Sequence, residues 1–352
     1  MTSTAVGAGV LLSIVLATGL LALTPRLLRR LDLYDIPTAR SSHDRPVLRG
    51  AGVAVATTVV LVLIGVSAGA AGPDGAALRA VALAVAAFAV LGFVEDRRGL
   101  GVGTRLRWQG GLAVLAAGAL AAALSAWWWW LPAALLVAVY VNVANFMDGI
   151  NSISAVHGAV AGSGLAVVGA LEDQGWLVVT GLVGAGAFAA FLPWNGLGRT
   201  TFFLGDAGSY TLGGFVSTCA AGAVMAGVPP WPVLSVLSVY LLDVGLTLVR
   251  RIRAGEDVTR PHREHVYQRL TSTRLLGHFP TGVLVGCCTL VVTAAGWGGA
   301  VANRVDMAVL CATGQGVVLA GYAALPRVLA VRRPAADREV GPAAGGAPPG
   351  TC

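Results

Sequence analysis

The chain has 352 residues, of which 56% are hydrophobic and only 12% charged, and its mean hydropathy is +0.76. Soluble domains carry about 25% charged residues, so an ordinary soluble domain, a disordered chain and a disulfide scaffold are all excluded. The 24 basic residues are all arginine and outweigh 17 acids to give a net charge of +7, but they lie in short segments between apolar runs, which is the pattern of membrane topology and not of a nucleic-acid surface.

Taken in chain order, apolar runs occupy 5–23, 51–71, 76–94, 110–127, 131–146, 154–170, 176–193, 209–228, 232–249, 280–298 and 306–325. Each is close to the ~20 residues that a helix needs to cross a bilayer, and a helix is the default spanning element because it satisfies its own backbone. The expected fold class is an all-α polytopic membrane protein with about eleven transmembrane helices. The first run does not read as a secretory signal, because no basic residue precedes it and Arg26, Arg29 and Arg30 follow it. The fifth and sixth runs are the weakest, since both carry polar or small residues. Residues 1–325 read as one integral-membrane domain and 326–352 as a cytoplasmic tail. That tail is expected to be disordered, because Pro334 to Cys352 is rich in Ala, Gly and Pro.

Arginine sets the orientation. With 24–50 placed in the cytoplasm and the runs alternating, the cytoplasmic segments are 24–50, 95–109, 147–153, 194–208, 250–279 and 326–352. They hold 22 of the 24 Arg, leaving only Arg79 and Arg304 outside. The N-terminus is then outside and the C-terminus inside. Trp127 to Trp130, Trp176, Trp231 and Trp297 fall near outer ends, as an interfacial belt would. The five Cys have no zinc spacing and read as small hydrophobes.

Polar residues at membrane depth are costly and mark function. Here they gather on the cytoplasmic side. Glu95 and Asp96 end the third run; Asn142, Asn145, Asp148 and Asn151 end the fifth; Asp206 lies in Gly-Asp-Ala-Gly-Ser before the eighth; Asp243 lies within the ninth; and Arg260-Pro-His-Arg-Glu-His-Val-Tyr-Gln268 follows it. The spacing by three predicts that the fifth-run residues stack on one helix face, with Gly149 ending the helix. Carboxylate and amide oxygens are hard ligands that suit Mg²⁺, and Arg and His nearby suit a diphosphate. Taken singly, Glu95 and Asp96 fit a plain helix end, Gly-Asp-x-Gly-Ser a tight turn, His262 and His265 a surface, and Asp243 a contact between helices. His157 and His278 have no constellation and read as structural. The common sidedness of the rest argues for phosphoryl-group chemistry on a lipid-borne substrate.

At these residues the chain resembles the polyprenyl-phosphate N-acetylhexosamine-1-phosphate transferases, over about residues 32 to 270 and five motifs in order. It looks closest to the bacterial O-antigen-initiating branch, which has a first loop like Asp35-Ile-Pro-Thr-Ala-Arg-Ser-Ser-His43 followed by Arg-Pro-x-x-Arg-Gly, and a His-Arg-x-His-x-Tyr-Gln loop like His262 to Gln268. The resemblance implies that Asp206 and Asn145 contact Mg²⁺, with Mn²⁺ as a substitute. It implies that Glu95 and Asp96 are the acidic pair near the lipid phosphate, and that Arg105 contacts phosphate where the family has Lys. Asn151 and Phe203 would hold uracil by hydrogen bond and stacking, Asp148 would be an acid of the nucleotide pocket, and His262, Arg263 and His265 would close over the diphosphate. His43 belongs to the substrate-binding first loop. Glu95 departs from the usual Asp, Asn151 from a common Asp, and Arg105 from Lys.

The implied reaction takes a UDP-N-acetylhexosamine and a polyprenyl phosphate in the bilayer, releases UMP and starts a cell-envelope glycan. The implied setting is the bacterial plasma membrane, with the site on the cytoplasmic face, room for a homodimer and no nucleic acid. The rivals are a phospho-MurNAc-pentapeptide transferase-type enzyme and a non-enzymatic transporter or scaffold. A transporter would more naturally carry acids at the bilayer midplane.

Overall fold

A computed structural model describes residues 3–37, 45–197, 202–260, 262–272, 276–301 and 305–331. The chain order is α1 (Ser3–Arg30), β1 (Tyr34–Asp35), β2 (Val47–Arg49), α2 (Gly52–Ser67), α3 (Gly72–Arg98), α4 (Val102–Leu124), α5 (Trp130–Met147), α6 (Ile153–Leu171), α7 (Gly175–Asn195), β3 (Phe202–Phe203) and α8 (Gly205–Met225). It continues through α9 (Pro230–Ser235), α10 (Ser238–Arg253), α11 (Val266–Ser272), α12 (His278–Val301) and α13 (Val305–Val331). The molecule is an all-α polytopic membrane protein. Among the described residues eight helices are long and apolar enough to cross a bilayer. Every expected apolar run falls on a helix.

The ninth run falls on two. Pro230 and Pro232 open α9, which stops after six residues, and α10 starts at Ser238. Serine hydroxyls take up carbonyls around the break: Ser235 Oγ donates to Trp231 O at 2.9 Å and Ser238 Oγ to Ser235 O at 2.7 Å. Such back-bonding lets a broken helix persist where water is scarce.

The centre of the bundle is α8, in which every residue but Asp206 and Val224 is buried. Its composition explains the position. Without a hydrophobic drive between helices in lipid, close packing of small residues takes over, and α8 is rich in Gly, Ala, Ser and Thr. A Cβ on Gly52 of α2 would lie 2.1 Å from Gly208 Cα, and one on Gly92 of α3 would lie 2.2 Å from Asp206 O. Bare backbones therefore touch at the N-terminal end of α8. At the periphery, α13 exposes Val309, Leu310 and Val317, as a lipid-facing helix should.

A small sheet covers that same end. β1 pairs antiparallel with β2, and β2 pairs parallel with β3, with Arg49 opposite Phe203. Phe203 O also accepts the backbone N–H of Gly50 and of Ala51. Strands this short have no hydrophobic period, and the sequence gives no sign of them.

One expectation needs correction. Trp127, Trp128, Trp129 and Trp231 are exposed, as a belt requires, but Trp176 and Trp297 are buried. Trp176 packs against the space left by Gly222 of α8, so it fills core and does not mark an interface. The last helix carries on through Pro326 to Val331. Residues 332–352, most of the expected tail, lie outside the described residues.

Candidate active site

The C-terminal end of α3, the N-terminal end of α8 and strand β2 meet through charge. Asp96 is fully buried, and its two oxygens accept the backbone N–H of Asp206 and of Ala207, each at 2.9 Å. A carboxylate there satisfies orphan donors of the helix start and faces the positive end of its dipole. Gly205 makes the turn into α8 with φ +75°, where a Cβ would lie 2.7 Å from Asp96 Oδ2. The sequence Gly-Asp-Ala-Gly-Ser thus gives a helix start built on glycine, clamped by the acid of a helix 110 residues away.

Arg49 bridges the two acids, with Nε 2.8 Å from Asp96 Oδ1 and Nη2 2.6 Å from Asp206 Oδ2. Burial works against its charge, but Asp206 and then Asp96 outweigh that and hold the guanidinium above its ordinary range. Arg49 is the main site residue not singled out from sequence. Its signal was the second Arg of Arg-Pro-x-x-Arg-Gly.

Asn145 of α5 donates its amide to Asp206 Oδ1 at 2.7 Å and to Ser209 Oγ at 3.1 Å. Glu95 faces α4: Arg105 Nη1 lies 3.5 Å from Oε1, and the Tyr210 hydroxyl donates to Oε2 at 3.2 Å. Arg105 Nε, both amide atoms of Gln109 and Asn142 Oδ1 are buried without a hydrogen-bond partner among the described residues. Buried polar atoms normally find partners, so this wall fits a site that takes up polar groups. Asp96, Glu95, Arg105, Asn145 and Asp206 are therefore brought together.

The stacked face expected from 142 to 151 stops short. α5 ends at Met147, and Asp148 has left helical geometry with φ −87° and ψ 46°. Asp148 turns to α6, where the Ser154 hydroxyl donates to it at 2.6 Å. Asn151 lies in the turn between the helices. Asn195, also unforeseen, ties that turn to β3: its Oδ1 accepts Ser152 N at 2.6 Å and its Nδ2 donates to Phe202 O at 3.2 Å. The segments carrying Asn151 and Phe203 are thereby linked. The only hint in the sequence was an Asn closing the apolar run at Phe191-Leu-Pro-Trp-Asn195. His43 lies outside the described residues.

Burial pushes the Asp148 carboxyl up to about 7; the Ser154 hydroxyl pulls it down, and Asp206 adds repulsion. The folded state then keeps a proton that the unfolded state has released. Stability falls as pH rises from about 4 to 7. Asp148→Asn, which mimics the protonated acid, is expected to raise the melting temperature at pH 8 and leave it unchanged near pH 4. The gain is roughly 2 kcal/mol once partial solvent access is allowed for. Thermal melts in detergent at both pH values check this.

The loop before α11 lies against the end of α5. The Tyr267 hydroxyl donates to Phe146 O at 2.8 Å, and the His265 and Phe146 ring centroids are 6.1 Å apart. His265 is buried, and the His262 ring packs against it at a tilt, with centroids 4.9 Å apart. Burial, then His265 and Arg251, hold His262 below the ordinary imidazole range, so it is neutral at pH 7. Arg263 is exposed. Buried Arg251 pins the loop through Asp257 O at 2.8 Å and Glu256 at 3.0 Å. Asp243 is buried beneath the loop, which resolves its reading in favour of a contact between elements. His157 is structural as expected: it is buried, within 2.9 Å of the Tyr140 hydroxyl and stacked on Tyr240.

Among the described residues no three His, Cys, Asp or Glu side chains gather into a metal cage. Asp206 and Asn145 are nonetheless hard donors in contact, and Mg²⁺ usually takes one or two protein carboxylates and completes its shell with phosphate and water. The donor set fits such an ion.

Residues 78–224 match the Glycosyl transferase family 4 profile. The chain is 29% identical over 309 residues to the decaprenyl-phosphate N-acetylglucosaminephosphotransferase of Mycobacterium leprae, covering 74% of each chain. It is 34% identical over 160 residues to the protein of that name in Mycolicibacterium smegmatis, an alignment spanning 39% of this chain and 38% of the relative. It is 25% identical over 271 residues to the probable undecaprenyl-phosphate N-acetylglucosaminyl 1-phosphate transferase of Bacillus subtilis, covering 71% and 74%. The profile match contains Glu95, Asp96, Arg105, Asn145 and Asp206, the residues that meet at the end of the bundle. These similarities support the polyprenyl-phosphate N-acetylhexosamine-1-phosphate transferase superfamily as the group this chain resembles.

Proposed function

We propose that the protein transfers N-acetylglucosamine-1-phosphate from a UDP-sugar to a polyprenyl phosphate and releases UMP. The observation that carries this is the meeting of Asp206, Asn145, Asp96, Arg49, Glu95 and Arg105 at one end of an apolar helical bundle. Such a site reaches both a lipid chain and a water-borne nucleotide. The relatives' names supply the sugar. The arginine distribution supports the reading that this end faces the cytoplasm.

A phosphate oxygen of the prenyl acceptor attacks the sugar-linked phosphorus. The bond from that phosphorus to the bridging oxygen breaks, and UMP leaves with the electron pair. Asp206 and Asn145 would hold Mg²⁺, which reduces the charge repulsion of the diphosphate. Arg105, with Nη1 3.5 Å from Glu95 Oε1, would bind the acceptor phosphate. Glu95 orients Arg105 and keeps free capacity to take the acceptor's last proton. Asp96 has a fully buried side chain and accepts two backbone N–H groups of α8, so it holds the site's shape. The acceptor has a second pKa near 6 and is largely dianionic at neutral pH, so direct attack needs no strong base. His262, neutral and half-exposed, and Arg263 would meet charge on the bridging oxygen.

Purified protein given a panel of UDP-sugars and a prenyl phosphate is expected to yield prenyl-diphosphate-GlcNAc by mass. A product with another sugar would overturn the substrate assignment, and no lipid product would overturn the reaction. Exchange of labelled UMP into the UDP-sugar without acceptor would replace direct attack by a covalent aspartyl or glutamyl intermediate. Truncating His262 and His265 together should depress turnover about a hundredfold with little change in expression.

A further inference from the structure

Asp243 lies in α10 and is completely buried. Four groups from α11, the loop before it and α13 converge on its carboxylate. His265 Nδ1 lies 3.2 Å and the backbone N–H of Val266 2.9 Å from Oδ1. The backbone N–H of Tyr267 donates to Oδ2 at 3.2 Å, and the hydroxyl of Tyr322, on α13, donates to the same oxygen at 2.6 Å. The two backbone N–H groups can only donate and the Tyr322 hydroxyl donates here, so with Asp243 as the carboxylate acceptor the hydrogen on His265 belongs on Nδ1. Nε2 is then the nitrogen left for the side of the ring away from α10. With its position fixed by Asp243 and by the Phe146 and Tyr267 rings, His265 is the ring against which His262 packs.

We infer that Asp243 and Tyr322 are positioning residues that fix the tautomer and place of His265, and that α13 thereby supports the loop over the diphosphate. The inference rests on the proposed phosphotransfer. It explains why a helix that exposes Val309, Leu310 and Val317 on its outer face carries a buried tyrosine whose hydroxyl reaches α10. A tyrosine placed only to fill space would not need its hydroxyl on a carboxylate that also holds an imidazole.

Tyr322→Phe keeps the ring and removes one donor. Turnover is expected to fall about tenfold, the size of one lost hydrogen bond to a charged acceptor. KM for both substrates and the melting temperature should stay within about twofold and a few degrees respectively. In protein labelled with ¹⁵N-histidine, Asp243→Asn should shift the His265 ring resonances away from the pure Nδ1–H pattern, and Tyr322→Phe should do so partly. Unchanged turnover in Tyr322→Phe, a rise in KM in place of a fall in kcat, or unchanged ring resonances in Asp243→Asn would each overturn the inference. If wild-type protein shows no transfer to any prenyl phosphate while the resonances shift as stated, the reaction is wrong and the anchoring stands.

Discussion

Asp206→Ala is expected to lower turnover by a factor on the order of 10³ or more, the range for losing a charged clamp at a phosphoryl-transfer site. The folded protein should survive the change. Asp206 is one of three carboxylates, with Glu95 and Asp96, that share Arg49 and Arg105. Removing it relieves like-charge repulsion and leaves Arg49 paired with Asp96 at 2.8 Å. The N–H groups of residues 206 and 207 still meet Asp96, because those bonds are to backbone. Asn145 loses one acceptor and keeps Ser209 Oγ at 3.1 Å. The signature is therefore a melting temperature equal to or above wild type together with lost transfer. That is the usual relation where function gathers charges that folding alone would not. UMP release at saturating Mg²⁺, measured beside a thermal melt, checks both halves. Retained activity would remove the metal assignment, and an unfolded variant would mean that Asp206 has a larger structural part than its contacts indicate.

The same geometry shows what the sequence could carry and what it could not. Helices were legible because lipid forces the backbone to bond internally, so twenty apolar residues leave few alternatives. The fifth and sixth runs looked weak because of their polar residues: Asn145 joins the Asp206 cluster, Asn142 Oδ1 is buried without a partner among the described residues, and Ser154 bonds Asp148 at the turn between them. The break at residues 236–237 was signalled by Pro230 and Pro232 but averaged away in a hydropathy window. Contacts at long separation were not legible. No local pattern says that Asp96 is engaged by the start of α8 or that Glu95 faces Tyr210. Arg49 and Asn195 act through partners 157 and 43 residues away, and a single sequence holds no record of such pairs. Periodicity also misled where the helix ended. Spacing by three placed Asp148 beside Asn145, yet the chain turns at Met147 and sends the acid to Ser154.

Gly92→Ala is expected to disable the protein without touching a charged group. Gly92 lies one turn before Asp96 on α3, and a methyl there would sit 2.2 Å from Asp206 O, 2.5 Å from Asp206 C and 2.6 Å from Ala207 Cα. All three are backbone atoms of α8, so no rotamer can yield. The helices must separate by about an ångström to reach ordinary contact. The bonds from Asp96 to Asp206 N and Ala207 N, now 2.9 Å each, lie at that very crossing and would stretch with it. A displacement of this size at a reacting centre costs about a hundredfold in rate, and lost packing at a small-residue crossing should lower the melting temperature by several degrees. Gly65→Ala is the matched control. A Cβ at Gly65, on α2, meets nothing within 4 Å, so alanine there should leave turnover unchanged and stabilise the helix slightly. Equal damage from both variants would show that glycine content, and not the contact between α3 and α8, is what the fold requires. Damage at Gly92 alone would tie the position of Asp206 to a single missing methyl group.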